Sequence, residues 1–183
     1  MKRWANLASI YQLAGRTGEA ITLEERVAND CERFLGGNHA NTLTSWANLA
    51  SSYRSAGRTD DAISIGERVA TRSEVLLGAD HADTLTRWGN LAGAYLAEGR
   101  TGEAIVIGER VANQSEALLG ADHPGTLPRS ANLAASYRAA GRTDESITLL
   151  EKAVAGLDGH VEGRARGLDQ MKEHLRFWQD EIG

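Results

Sequence analysis

Apolar and small side chains recur at helical spacing along this chain, in short segments that end at glycine. One such set, at steps of three, three, one and four residues, comprises Leu43, Trp46, Leu49, Ala50 and Tyr53. This spacing places the five side chains on one face of an α-helix. The pattern therefore predicts an amphipathic helix that buries this face against a neighbour.

A second apolar stripe follows Gly57 and predicts a second helix. Its members are Ala62, Ile63, Gly66, Val69, Ala70, Ser73, Leu76 and Leu77. We expect Gly57 and Gly78 to end the two helices, because glycine readily adopts the left-handed conformation found beyond a helix C-terminus. Thr59 is the expected N-cap of the second helix. The unit is thus two helices joined by tight turns.

This two-helix unit recurs every 42 residues. Tryptophan occupies one position at Trp4, Trp46 and Trp88, with Ser130 in the fourth unit, and tyrosine recurs at Tyr11, Tyr53, Tyr95 and Tyr137. Residues 39–80 and 81–122 align without a gap and are identical at 28 of 42 positions. Units of this kind bury their apolar faces on their neighbours, so the period predicts a helical repeat protein.

In residue type and spacing, the order Trp46, Leu49-Ala50, Tyr53, Gly57, Ala62 and Val69 resembles the tetratricopeptide repeat. The 42-residue step is similar to the longer subclass found in kinesin light chains and many bacterial regulators. The resemblance covers residues 1 to about 157. It implies an all-α, right-handed superhelical solenoid. We expect a single domain over 1–183, with repeats at about 1–37, 38–79, 80–121 and 122–158 and a capping helix at about 160–182.

Some positions depart from the family pattern. Gly66 and Gly108 stand where the family usually has a bulky aromatic residue, and we expect Trp46 or Trp88 to fill that space. Pro128 lies in the first helix of the fourth unit, so that helix should start late or kink.

The net charge and the cysteine content disfavour some classes of function. The chain has 183 residues, a net charge of -5 and one cysteine. An acidic balance disfavours a nucleic-acid partner, and no apolar run is long enough to span a membrane. A lone cysteine fits a reducing compartment, so we expect a cytoplasmic protein.

No catalytic, metal or cofactor motif is found. The chain lacks phosphate-loop and dinucleotide fingerprints. His39, His81 and His123 recur at the repeat junctions without partners at metal-ligand spacing, and we expect them to cap helices or pack the junctions. We expect Cys31 to be an apolar filler. The repeated pairs that begin at Glu25-Arg26 should form ion pairs. We therefore predict a protein that is not an enzyme and holds no metal or cofactor.

The resemblance further implies that the first helix of each pair lines a concave groove. One asparagine recurs between the core positions of these helices, at Asn6, Asn48, Asn90 and Asn132. Its amide can pair with the backbone of an extended peptide; alternatively, it bonds within the repeat. Ser51, Arg54, Arg138 and Lys2 complete the predicted peptide-binding set, and the arginines favour an acidic ligand unless they are simply solvated.

We therefore expect a protein–protein interaction scaffold that binds an extended peptide or a partner helix through this ladder of asparagines. Two alternatives stay open. The terminal repeats could stack on a second copy, giving a self-associating module. The chain could also be a sensor domain of a larger signalling regulator.

Overall fold

The computed structural model describes residues 7–8, 10–11, 13–121, 123, 125–158 and 172–177. Within these residues the structure is helical and contains no strand. The complete helices are α1 (Thr17–Leu35), α2 (Ala40–Ser55), α3 (Thr59–Leu77), α4 (Ala82–Ala97), α5 (Thr101–Leu119), α6 (Leu127–Ala139) and α7 (Thr143–Asp158). Residues 7–8, 10–11, 13 and 172–177 are also helical.

These helices form two compact units, one over residues 1–98 and one over residues 99–183. In the first unit α2 packs between α1 and α3, and α4 packs against α3. Part of its core consists of Ile21, Ala28, Leu49, Tyr53 and Ala62, with Trp46 packed at the edge. The predicted first-helix stripe is therefore the packed face. In the second stripe Leu76 is an exception, because its side chain is exposed.

A glycine with positive φ follows the end of each of the two helices α2 and α3, as the sequence predicts. Gly57 has φ 74° and Gly78 has φ 95°, a region that other residues rarely adopt. The prediction for Thr59 is wrong by one residue. Helix α3 begins at Thr59, and Arg58 stands at the N-cap position with no side-chain capping bond. Arg58 instead donates from Nε to Asp61 at 2.8 Å, which ties the turn to the helix start.

The junction histidines accept hydrogen bonds from backbone N–H groups two residues further along the chain. Nδ1 of His39 accepts a hydrogen bond from the backbone N–H of Asn41 at 3.1 Å, and His81 does the same with Asp83. Nδ1 of His123 accepts from the Gly125 N–H at 2.9 Å, just before α6. Capping satisfies backbone donors that have no partner within the helix. The capping interpretation is confirmed for His39 and His81, whereas the bond of His123 lies in the turn before α6, whose N-cap Thr126 makes no side-chain capping bond.

Leucines, and not tryptophans, face the unusual glycines. A Cβ added to Gly66 would lie 3.1 Å from Cδ1 of Leu91, and one added to Gly108 would lie 3.0 Å from Cδ1 of Leu133. The expectation that Trp46 or Trp88 fills this space is wrong. The glycines let a first helix pack closely on the second helix that precedes it.

In the second unit, α6 packs against α5 and α7. Helix α6 begins at Leu127, with Pro128 in its first turn, and is 13 residues long, whereas α2 and α4 have 16. The late start expected from Pro128 is confirmed. Most of the predicted capping helix at 160–182 lies outside the described residues, and only 172–177 of it are described as helical.

Candidate functional site

A cleft opens in the first unit between the first helices of two successive hairpins. This α2–α4 cleft has a volume of about 40 Å³. Small or apolar side chains from α2, α3 and α4 form its floor: Ala47, Ala50, Ala62, Gly66, Val69, Leu91 and Ala94. Polar side chains at its rim are Ser51, Arg54, Arg87 and Asn90. A volume of about 40 Å³ is well below that of small-molecule pockets, so the cleft suits a short backbone segment or a small side chain rather than a whole ligand.

Arg54 reaches from α2 across to α4. Its Nη1 lies 3.0 Å from where a Cβ on Gly93 would stand. The absence of a side chain at Gly93 therefore leaves room for the guanidinium over α4. Arg54 is exposed, so its charge is available to a ligand at the rim.

Arg87 is a buried cation that the sequence did not single out. It is 9% exposed, and its Nη1 donates to Oγ of Ser73 at 2.6 Å. Burial lowers the pKa of the Arg87 guanidinium, while the charge of Asp83 opposes that effect. The corresponding positions of the other units hold Arg3, Ser45 and Arg129, so the recurrence of arginine in three of four units was a signal that could have marked this residue.

Three of the predicted asparagines lie on exposed helix faces. Asn48, Asn90 and Asn132 occupy the same register position on α2, α4 and α6, and all three are exposed. Their side-chain amides make no hydrogen bond to any residue that the structure describes. Of the three, Asn90 lines the α2–α4 cleft. Asn6 lies outside the described residues.

The remaining predicted residues differ in their placement. Ser51 and Arg54 stand together at the cleft. Arg138 is half-buried in the second unit, where its Nη1 donates to Oγ1 of Thr143 at 3.2 Å. It is thus directed towards α7. Lys2 lies outside the described residues.

The repeated glutamates bind tyrosines. Oη of Tyr53 donates to Oε1 of Glu25 at 2.6 Å, and Tyr137 donates to Glu109 at 2.8 Å. The ion pair of Glu25 is with Arg58 at 3.8 Å rather than with an arginine of the repeated pairs. Burial and the Glu25 carboxylate together raise the pKa of Tyr53 to about 12. These contacts join α1 to the end of α2 and the start of α3.

The sequence analysis also made predictions about Cys31 and about metal binding. Cys31 is 1% exposed, and its Sγ lies 3.3 Å from Oγ of Ser45, as suits a packed side chain. Within the described part of the chain, no group of three or more His, Cys, Asp or Glu side chains could hold a metal ion. No helix among the described residues is long and apolar enough to cross a bilayer.

Helical hairpins of fixed length, glycine turns and a small-residue cleft define a helical repeat protein. The family model described as tetratricopeptide repeat matches residues 3–74, 48–113 and 88–158. The chain therefore belongs to the tetratricopeptide repeat family. The repeats span most of the chain, and the fold class is the all-α repeat superhelix of that family.

Solved structures support the kinesin-light-chain-like subclass. The chain is 26% identical, with a TM-score of 0.79, to nearly identical TPR-like repeats of a Podosopora anserina protein assigned as a kinesin light chain, covering 99% of this chain and 95% of that one. A variant of that protein gives 26% identity, the same coverage of both chains and a TM-score of 0.81. BtubC (BKLC) of P. vanneervenii shares the fold at 21% identity and a TM-score of 0.75, over 89% of this chain and 66% of that one. No curated protein matches the sequence.

Proteins of this family generally act as protein-interaction scaffolds, and the fold is typically not enzymatic. This chain shares the architecture on which that role depends. The α2–α4 cleft is therefore the first candidate for a partner site.

Proposed function

We propose that this protein is an interaction scaffold that binds an extended peptide of a protein partner along the exposed faces of its first helices. The α2–α4 cleft is the centre of the site. Asn90 holds the peptide backbone there, and Asn48 does so on the exposed face of α2. Asn132, in the second unit, stays a predicted contact from the sequence. Asn6 and Lys2 extend the same set.

The observation that carries this proposal is the recurrence of an exposed asparagine amide without a partner among the described residues. Asparagine has weak helix propensity, so nothing in helix stability favours it at mid-helix. Each amide offers two donors and one acceptor, which match a peptide's C=O and N–H. An amide engaged within the repeat would not be available, and this alternative finds no support at Asn48, Asn90 or Asn132.

The charge at the rim favours an acidic ligand. Arg54 is exposed beside Ser51 and Asn90, whereas the guanidinium of Arg87 in the same cleft is buried and donates to Ser73. Guanidinium groups bind carboxylates through paired, charge-assisted hydrogen bonds. A peptide with a carboxylate side chain, or a C-terminal carboxylate, would place that group against Arg54.

The test starts from a displayed library of random peptides selected on the full chain. Binding of a selected peptide is then measured by fluorescence polarisation with the wild type and with an Asn48→Ala/Asn90→Ala double variant. Each lost hydrogen bond costs about 0.5–1.5 kcal/mol, so we expect the Kd to rise roughly tenfold.

Asn29→Ala is the matched control, since Asn29 is an exposed asparagine of α1, which is the second helix of its hairpin and lies outside the proposed first-helix site. It should leave the Kd unchanged, and circular dichroism should show equal helicity in all variants. A double variant that binds like the wild type contradicts the assignment.

Self-association is a second candidate, favoured by two exposed apolar side chains near the start of the chain. Ile10 is 59% exposed and Leu13 is 90% exposed. Sedimentation velocity at several concentrations tests it, and a strict monomer excludes it. A cytoplasmic location, a role as a sensor domain and a single domain over 1–183 stay predictions from the sequence.

A further inference from the structure

Within the repeat, side chains of neighbouring helices hold the indole ring of a tryptophan. In the first unit, Nε1 of Trp46 donates to Oε2 of Glu32 at 3.1 Å. The guanidinium of Arg68 lies over the same ring, 4.2 Å from its centroid. The ring on α2 is thus held by α1 on one side and by α3 on the other, through a hydrogen bond and a cation–π contact.

The next repeat uses the same acceptor. Nε1 of Trp88 donates to Oε2 of Glu74 at 2.7 Å, and both residues stand 42 positions after their counterparts. Two repeats therefore bind an indole through a carboxylate at the same register position. The ring and its carboxylate acceptor therefore recur at fixed positions of the repeat, and in the first of the two repeats Arg68 also covers the ring.

In the second unit the ring is missing and its partners remain. Two periods beyond Trp46, Glu32 and Arg68 lie Ser130, Glu116 and Lys152. All three line one cleft between α5, α6 and α7, with a volume of about 930 Å³. Leu127 and Leu133 contribute apolar surface to this α5–α7 cleft. Its volume lies within the range of pockets that hold small ligands.

The α5–α7 cleft carries a negative charge. Its charged lining residues are Glu109, Glu116, Asp144, Glu145 and Lys152. Arg142 pairs with Glu109, at 3.8 Å, and with Glu145. Glu116 and Asp144 have no ionic partner among the described residues. The lining therefore favours a ligand with positive charge beside its apolar group.

We propose that the α5–α7 cleft binds the tryptophan side chain of a partner peptide that carries lysine or arginine next to that tryptophan. The indole N–H donates to Glu116, and the ammonium of Lys152 lies over the ring. The ligand's basic neighbours face the carboxylates at the rim. This site lies in the second unit and does not depend on the asparagines or on the α2–α4 cleft.

The experiment uses the full chain and a tripeptide, acetyl-Lys-Trp-Lys-amide, in which the indole carries fluorine. Fluorine NMR titration gives the Kd for the wild type and for Ser130→Trp, which supplies the ring that the other repeats have. We expect Ser130→Trp to raise the Kd at least tenfold. Ser64→Trp, a matched change at an exposed site of α3, should leave it unchanged.

A second variant keeps the test independent of how Ser130→Trp folds. Glu116→Ala removes the acceptor at the surface of α5 and should raise the Kd about fivefold or more. Two competing peptides examine the ligand chemistry, with acetyl-Lys-Leu-Lys-amide and acetyl-Glu-Trp-Glu-amide expected to bind at least tenfold more weakly.

Equal binding of the leucine peptide, tighter binding of the glutamate peptide, or an unchanged Kd in both Ser130→Trp and Glu116→Ala would each overturn the proposal. Loss of the asparagine-dependent peptide in the other assay would leave it standing, since the two sites use different residues.

Discussion

Glu32 offers the sharpest test of how the repeat is held together. Its Oε2 accepts from the indole of Trp46 at 3.1 Å, and its Oε1 accepts from Nη1 of Arg72 at 3.1 Å. One carboxylate thus connects α1, α2 and α3. Glu32→Ala removes both bonds and leaves the indole N–H without its acceptor.

The expected loss follows from these two contacts. A hydrogen bond to a charged group contributes about 1.5–3 kcal/mol. The pair with Arg72 is about one-third exposed on each side, and solvent screening limits it to about 1 kcal/mol or less. We therefore expect Glu32→Ala to lower the free energy of unfolding by roughly 2–3 kcal/mol. Glu32→Gln, which keeps an acceptor and loses the charge, should cost about half as much.

Urea denaturation followed by circular dichroism and tryptophan fluorescence measures this loss. Glu19→Ala is the control, because Glu19 forms an exposed ion pair with Arg16. It should leave the urea midpoint nearly unchanged. A Glu32→Ala loss no larger than that of Glu19→Ala would refute the role of the carboxylate.

Two further predictions follow from the packing. The fold raises the pKa of the Tyr53 hydroxyl from its ordinary value of 10.0 to about 12. The unfolded chain therefore loses the hydroxyl proton at a lower pH than the folded protein does. The free energy of unfolding should fall as the pH rises from about 10 to about 12. Urea midpoints measured across that range should drop less steeply in Tyr53→Phe, and an equal slope would contradict the assignment. Gly108→Phe should destabilise the chain by about 1–3 kcal/mol or more, since even a Cβ there would lie 3.0 Å from Cδ1 of Leu133. Thermal unfolding measures this, and a higher Tm would show that the space beside Gly108 is open.

Most of the fold could be predicted from the 42-residue period, because helix spacing and glycine turns are local properties of the sequence. Gly57 and Gly78 end helices as predicted, and Pro128 delays the start of α6. The partner of Gly66 was not predictable in the same way. Which of several apolar side chains meets a glycine depends on the crossing of two helices, and Leu91 takes the place expected for tryptophan.

The candidate site was predicted in part. The 3.6-residue period identifies the exposed face of a helix, and Asn48, Asn90 and Asn132 are exposed as it predicts. The direction in which a long side chain extends from its helix depends on the neighbouring helices, and the sequence of one helix does not determine it. Arg138 turns towards Thr143, and Arg87 lines the α2–α4 cleft, although its position in the repeat does not indicate where its side chain points.

Photo-crosslinking of the selected peptide shows whether the first helices bind the partner. A benzophenone amino acid is placed at Ser51, which lines the α2–α4 cleft, or at Ser64, which is exposed on α3. We expect a peptide adduct from position 51 and none from position 64. An adduct from position 64 alone would contradict binding by the first helices.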